Sequence, residues 1–155
     1  MLDLIKQYFT KNEWQFTQAS SDKSVLLFGI NGLNGNFQCI ADVVEDEKKF
    51  IFLSVCGANT PVDKRKEMLE LINLINYDLF LGNFEIDLED GEIRFRTSTF
   101  YEYIEPTIDF LNQLIMSNII TMDNSLPGIM GFMFGNLSPL EAIELINKGE
   151  GEREK

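Results

Sequence analysis

Phe84-Glu-Ile-Asp-Leu-Glu-Asp-Gly-Glu-Ile-Arg-Phe-Arg-Thr97 is the stretch on which the fold turns. Asp90-Gly91 is the strongest short hairpin signal, because both residues accept the positive φ of a two-residue turn. With those two as the loop, Leu88 opposes Ile93 and Ile86 opposes Phe95 on one face. On the other face Asp87 opposes Arg94 and Glu85 opposes Arg96, two surface ion pairs worth under about 1 kcal/mol each when exposed. One face is therefore core and the other polar, which means an antiparallel sheet covered on one side.

Working outward, Phe37 to Glu45 and Phe50 to Cys56 form a second hairpin around Asp46-Glu47. That register faces Val43 to Phe50, Ala41 to Phe52, Cys39 to Ser54 and Phe37 to Cys56. The period of two places all eight on the buried face. Val25–Ile30 is an apolar run of strand length stopped by Asn31-Gly32 and Asn34-Gly35, and Trp14–Gln18 alternates as a short strand. Leu2, Leu4, Ile5, Tyr8 and Phe9 recur at helical spacing up to about Asn12. Thr60-Pro61-Val-Asp63 reads as a capped helix start, followed by an inward stripe of Met68, Leu71, Ile72 and Ile75. A longer helix runs from about Glu105, with Ile108, Leu111, Ile115, Ile119 and Met122 on one stripe, until Leu126-Pro127-Gly128 breaks or kinks it. Ser138-Pro-Leu-Glu141 is a capping box for a last helix through Ile146. The expected fold is α+β: an antiparallel sheet of five to six strands with helices on one face. Its order is helix, strand meander, helix, hairpin, helix, helix. Residues 1–147 read as a single domain and 148–155 as a disordered acidic tail.

The chain has 155 residues, 13 Lys and Arg against 25 Asp and Glu, and no His. A net charge of −12 opposes phosphate backbones and anionic lipid, so nucleic acid and membrane surfaces are not the expected partners. Without His there is no Ser-His-Asp triad, no Cys-His pair and no His-ligated metal. The opening residues carry Asp3 and lack a basic stretch followed by a long apolar run, so they do not read as a signal peptide. Two cysteines suit a reducing, cytoplasmic compartment better than a disulfide framework.

The candidate motifs read mostly as structure. Gly29, Gly32 and Gly35 match neither a dinucleotide fingerprint nor a P-loop, and the two Asn-Gly pairs account for them as a turn. Aligning Gly91 with the glycine of a calcium loop puts Ile86 and Leu88 where carboxylates are needed. Glu85 and Asp87 each face an Arg, which keeps them ionised and unsuited to acid catalysis. Cys39 and Cys56 lie diagonally on neighbouring strands and read as buried free thiols. Lys64-Arg65-Lys66 is a solvated helix turn. Ile129, Met130, Phe132, Met133 and Phe134, with Gly131 and Gly135 spaced GxxxG, make a segment apolar on every side, which is either core or a partner interface. No catalytic residue, cofactor or metal site is expected.

Asn76–Ser98, Phe37–Asp42, Phe52–Cys56 and Thr121–Ile129 resemble the signature stretches of the bacterial YbjN family, over roughly residues 1–147. The resemblance implies a fold like that of type III secretion chaperones, which are small, acidic, dimeric α+β proteins that hold partly unfolded clients. It also implies a regulator of bacterial sensory transduction, with no catalytic residues to carry over. Phe100-Tyr-Glu-Tyr103 departs from the charged, Gly-containing loop usual there. Residues and resemblance together lead to a non-enzymatic protein-binding module, a homodimer that takes a protein or peptide client. The alternative is a small-molecule sensor with its pocket between helices and sheet.

Overall fold

Alternating apolar positions give the chain a sheet with one buried face, and the helices lie against that face. The computed structural model describes residues 1–153, with side-chain surroundings through Gly149. Its elements are α1 Leu2–Lys11, β1 Thr17–Gln18, β2 Val25–Asn31, β3 Asn36–Val44, β4 Lys49–Cys56, α2 Arg65–Asp78, β5 Asn83–Ile86, β6 Ile93–Phe100, α3 Ile108–Phe134 and α4 Pro139–Arg153. The six strands form one antiparallel sheet in the order β1-β2-β3-β4-β6-β5. This is the expected α+β architecture. The last helix takes in Lys148 to Arg153, which read from sequence as tail. Residues 154–155 lie outside the described residues.

The β3–β4 hairpin has the register its alternation specifies: Val43 faces Phe50, Ala41 Phe52, Cys39 Ser54 and Phe37 Cys56. All eight side chains are buried, among the rings of Phe9, Phe28 and Phe95. Tyr8, Trp14 and Phe16 complete an aromatic cluster around Phe9. The strand expected over Trp14–Gln18 shrinks to its last two residues. Glu13 adopts φ 59° and the Trp14 amide donates to Phe9 O at 2.9 Å, which carries the indole onto Phe28 instead of into the sheet.

The β5–β6 hairpin departs from its expected register. Ile86 faces Ile93, Glu85 faces Arg94 and Phe84 faces Phe95, so the loop spans Asp87–Glu92 and Leu88 is exposed rather than core. The loop makes its own turn, the Gly91 amide donating to Asp87 O at 2.8 Å and the Asp87 and Asp90 carboxylates accepting from Glu89 N and Glu92 N. Arg65 holds it in place, donating to Leu88 O and Glu89 O at 3.1 and 2.8 Å, while Thr60 N donates to Gly91 O. Arg65 is thus a clamp on backbone carbonyls, not part of a solvated turn. Lys64 is similarly engaged: its Nζ donates to Phe132 O at 2.9 Å and lies over the Phe132 ring. Thr60 does not cap α2; a single 3₁₀ turn intervenes and its hydroxyl is buried without a partner among the described residues. The Ser138–Glu141 capping box is closed in both directions.

With the register changed, Asp87 no longer meets Arg94. Glu85 takes both arginines, accepting from Arg94 Nε at 2.8 Å and from Arg96 Nε and Nη2 at 2.7 and 3.1 Å. Partial burial pushes its carboxyl up, but the bonds from Arg96 and Arg94 outweigh that and hold it at about 2.

α3 runs unbroken for 27 residues, with Pro127 inside it. A proline there leaves the carbonyl four residues back without its helical donor. That carbonyl, Asp123 O, instead accepts from Asn34 Nδ2 at 2.9 Å, so the helix is repaired from the β2–β3 turn. Nearer the middle of α3, buried Asn118 reaches the adjacent strands β4 and β6. Its Nδ2 lies 3.1 Å from Phe52 O, 3.1 Å from Phe95 O and 3.2 Å from Thr97 Oγ1, and its Oδ1 accepts from Ser54 Oγ at 2.7 Å.

Two outcomes are expected. Asn118→Leu strands the Ser54 and Thr97 hydroxyls in a dry interior and costs about 2–4 kcal/mol, read as a lower urea midpoint at unchanged slope; an unchanged midpoint would show that the amide is energetically idle. Because the folded-state pKa of Glu85 is depressed, its stabilisation is complete above about pH 5 and is lost as pH falls toward about 2. The stability gap between wild type and Glu85→Gln should therefore close over that window, and a gap constant from pH 7 to pH 2 would contradict the arrangement.

Candidate functional site

The clamp at Pro127 also builds an open apolar feature on the helix side of the sheet. Gly32 N donates to Gly35 O at 2.9 Å, closing the β2–β3 turn over Leu33 and Asn34. Both turn amides point at the buried Asp123 carboxylate, Asn34 N at 2.9 Å and Leu33 N at 3.2 Å. A Cβ at Gly32 would collide with that carboxylate, which is why the turn needs glycine there. Held this way, Leu33 projects into solvent at 88% exposure, opposite Ile120 of α3 at 50%.

Between turn and helix lies a groove of about 520 Å³, lined by Trp14, Ile30, Leu33, Met116, Ile119 and Ile120, with Asp123 and Asn124. The Trp14 indole stacks on Phe28, with centroids 5.2 Å apart and planes 23° apart, so that wall of the groove is rigid. The Oδ1 of Asn124 is buried without a partner among the described residues, leaving one acceptor in apolar surroundings. Such a site suits an apolar side chain. Proton transfer has no obvious agent there, since both Asp123 oxygens already accept N–H bonds. Among the described residues no three His, Cys, Asp or Glu side chains converge as a metal site.

The residues singled out from the sequence lie elsewhere. Ile129, Phe132 and Met133 are buried core, Met130 is half-buried and only Phe134 projects, at 61% exposure. Of the two readings of this segment, core or interface, these three side chains pack as core. α4 covers the side that seemed to lack a partner, and it comes close because Gly128 has no side chain to collide with Ala142 O, 2.6 Å from where a Cβ would sit. Gly135 ends α3 rather than completing a helix-pairing motif.

The two thiols are buried, and burial pushes Cys39 up to about 12 and raises Cys56, so neither is a nucleophile. The outer face of the sheet is polar at Glu85, Arg94 and Arg96, and also at Gln38, Asp42, Lys49 and Ser98. Toward β2 it turns apolar, with Leu27, Ile40 and Leu53 side by side across three strands and half-buried. The groove itself went unread in the sequence; its one local signal is Leu33, an apolar residue inside an Asn-Gly turn that offers nothing to bury it.

Among the described residues no helix is long and apolar enough to cross a membrane. No curated protein matches the chain. Among solved structures that share its fold, two are 12% identical to it. The crystal structure of YbjN from E. coli superposes with a TM-score of 0.62, covering 79% of this chain and 86% of that one. A chain of the HopA1–SchA chaperone–effector complex superposes at 0.50, covering 80% of this chain and 90% of that one. The family model described as "Putative bacterial sensory transduction regulator" matches residues 1–109, from α1 to the first turn of α3, and the chain belongs to this YbjN family.

Proposed function

We propose that the protein is a non-enzymatic binding module that holds an apolar stretch of a protein partner in the groove between the β2–β3 turn and α3. The observation that carries this reading is the pair Leu33 and Ile120, apolar side chains held out in water on facing walls of the groove by a clamp that prevents their retreat. Apolar surface fixed in water is costly unless something covers it. The likeness to a chain of a chaperone–effector complex supports a protein client, and the family description supports a place in signalling. Two free buried thiols accord with a cytoplasmic location.

A second reading, self-association, is favoured by the Leu27–Ile40–Leu53 row on the outer sheet face. A homodimer through that face would cover it and leave the groove free for a client.

Trp14 is the only tryptophan and lines the groove, so its emission reports occupancy. A leucine-rich amphipathic peptide should shift that emission, and Leu33→Asp with Ile120→Asp should weaken binding at least about tenfold. Binding unaffected by the double substitution would sink the groove reading. A response to small apolar metabolites but not to the peptide would favour a ligand sensor. For self-association, light scattering over a dilution series should give a dimer that Leu53→Lys converts to monomer; a wild-type monomer at every concentration removes that reading.

A further inference from the structure

The groove adjoins an unpaired strand edge, and the two features share residues. β1 and Ala19 cover β2 only from Val25 to Leu27. The bonds Ala19 N to Val25 O on one side, and Val43 N to Ser24 O and Gly32 N to Gly35 O on the other, fix the alternation along β2. Even-numbered residues turn their N–H and C=O toward β3, odd-numbered ones toward the outer edge. The backbone groups of Gly29 and Asn31 therefore face outward, and among the described residues they have no hydrogen-bond partner. Exposed edges are ordinarily guarded by Lys, Pro or a bulge. Here the outward residues are an uncharged Asn and a Gly whose missing Cβ would have met nothing within 4 Å.

We propose that a partner segment adds to the sheet as an extended strand along β2, pairing with Gly29 and Asn31 and placing an apolar side chain in the groove. The inference rests on the groove reading and specifies its mode. Outward groups two residues apart match the repeat of an extended chain, not of a helix. The residue of the added strand that faces Ile30 points to the same side as Ile30, toward Met116, Ile120 and Leu33. Charge selects the flanks: a chain of −12 favours a segment with basic residues on either side of its apolar core.

The probe is a short peptide of alternating valine and threonine with paired lysines at both ends, compared with its analogue methylated on alternate backbone nitrogens. Followed by Trp14 emission, the parent peptide should bind wild type and Gly29→Ala. Gly29→Pro, which deletes an outward N–H without touching the β2–β3 ladder, should weaken it about tenfold, as should methylation, which leaves the protein unaltered. Equal affinity for both peptides, with dependence on Leu33 and Ile120 retained, overturns strand addition and leaves the groove reading standing. Indifference to Leu33→Asp and Ile120→Asp overturns both. A wild-type chain that ignores the parent peptide overturns strand addition.

Discussion

Everything in this fold leans on α3, and α3 is held by polar contacts in places where an apolar helix would be expected to rely on packing. The Asn118 amide nitrogen shares its two N–H groups among two strand carbonyls and a threonine hydroxyl, and its oxygen accepts from a serine hydroxyl. One turn and a half further on, Asp123 receives the β2–β3 turn on its carboxylate and lends its carbonyl to Asn34. Packing alone would let the helix slide along the sheet. Buried hydrogen bonds with fixed partners do not, because any shift leaves several groups unpaired at once. They set the height of the helix over β4 and β6, and so the width of the groove.

How much of this was legible depended on how local its causes are. The β3–β4 register follows from eight residues that alternate without exception between Phe37 and Cys56, and a slip by one would have turned all of them to water. The stripe on α2 and the Ser138–Glu141 cap are equally local and stand as read. The β5–β6 turn was not legible, because Asp90-Gly91 favours a tight turn locally while Arg65, from another element, draws Leu88 O and Glu89 O into a wider one. Pro127 is the same lesson inverted: a local helix breaker neutralised by Asn34 from far upstream. The groove was invisible for that reason too, since its walls come from segments about ninety residues apart that only the clamp unites.

The family match reaches residue 109 and the groove straddles that limit. Trp14, Ile30 and Leu33 fall inside the matched stretch, whereas Met116, Ile119 and Ile120 lie beyond it on α3. One wall thus stands on the shared framework and the other on the part of the chain the family model leaves out.

The distance in sequence between Asn34 and Asp123 also bears on how the chain acquires its shape. Contacts at separations of 64 to 90 residues join the sheet to α3, and such closures slow the search for the native state. A chain emerging from the ribosome will have made all six strands before α3 arrives. Phe9 and Trp14 already cover Phe28, but the helix side of β4 and β6, with Phe52 and Phe95, is closed only when α3 docks. The last third of the chain therefore serves the first two as an intramolecular cover.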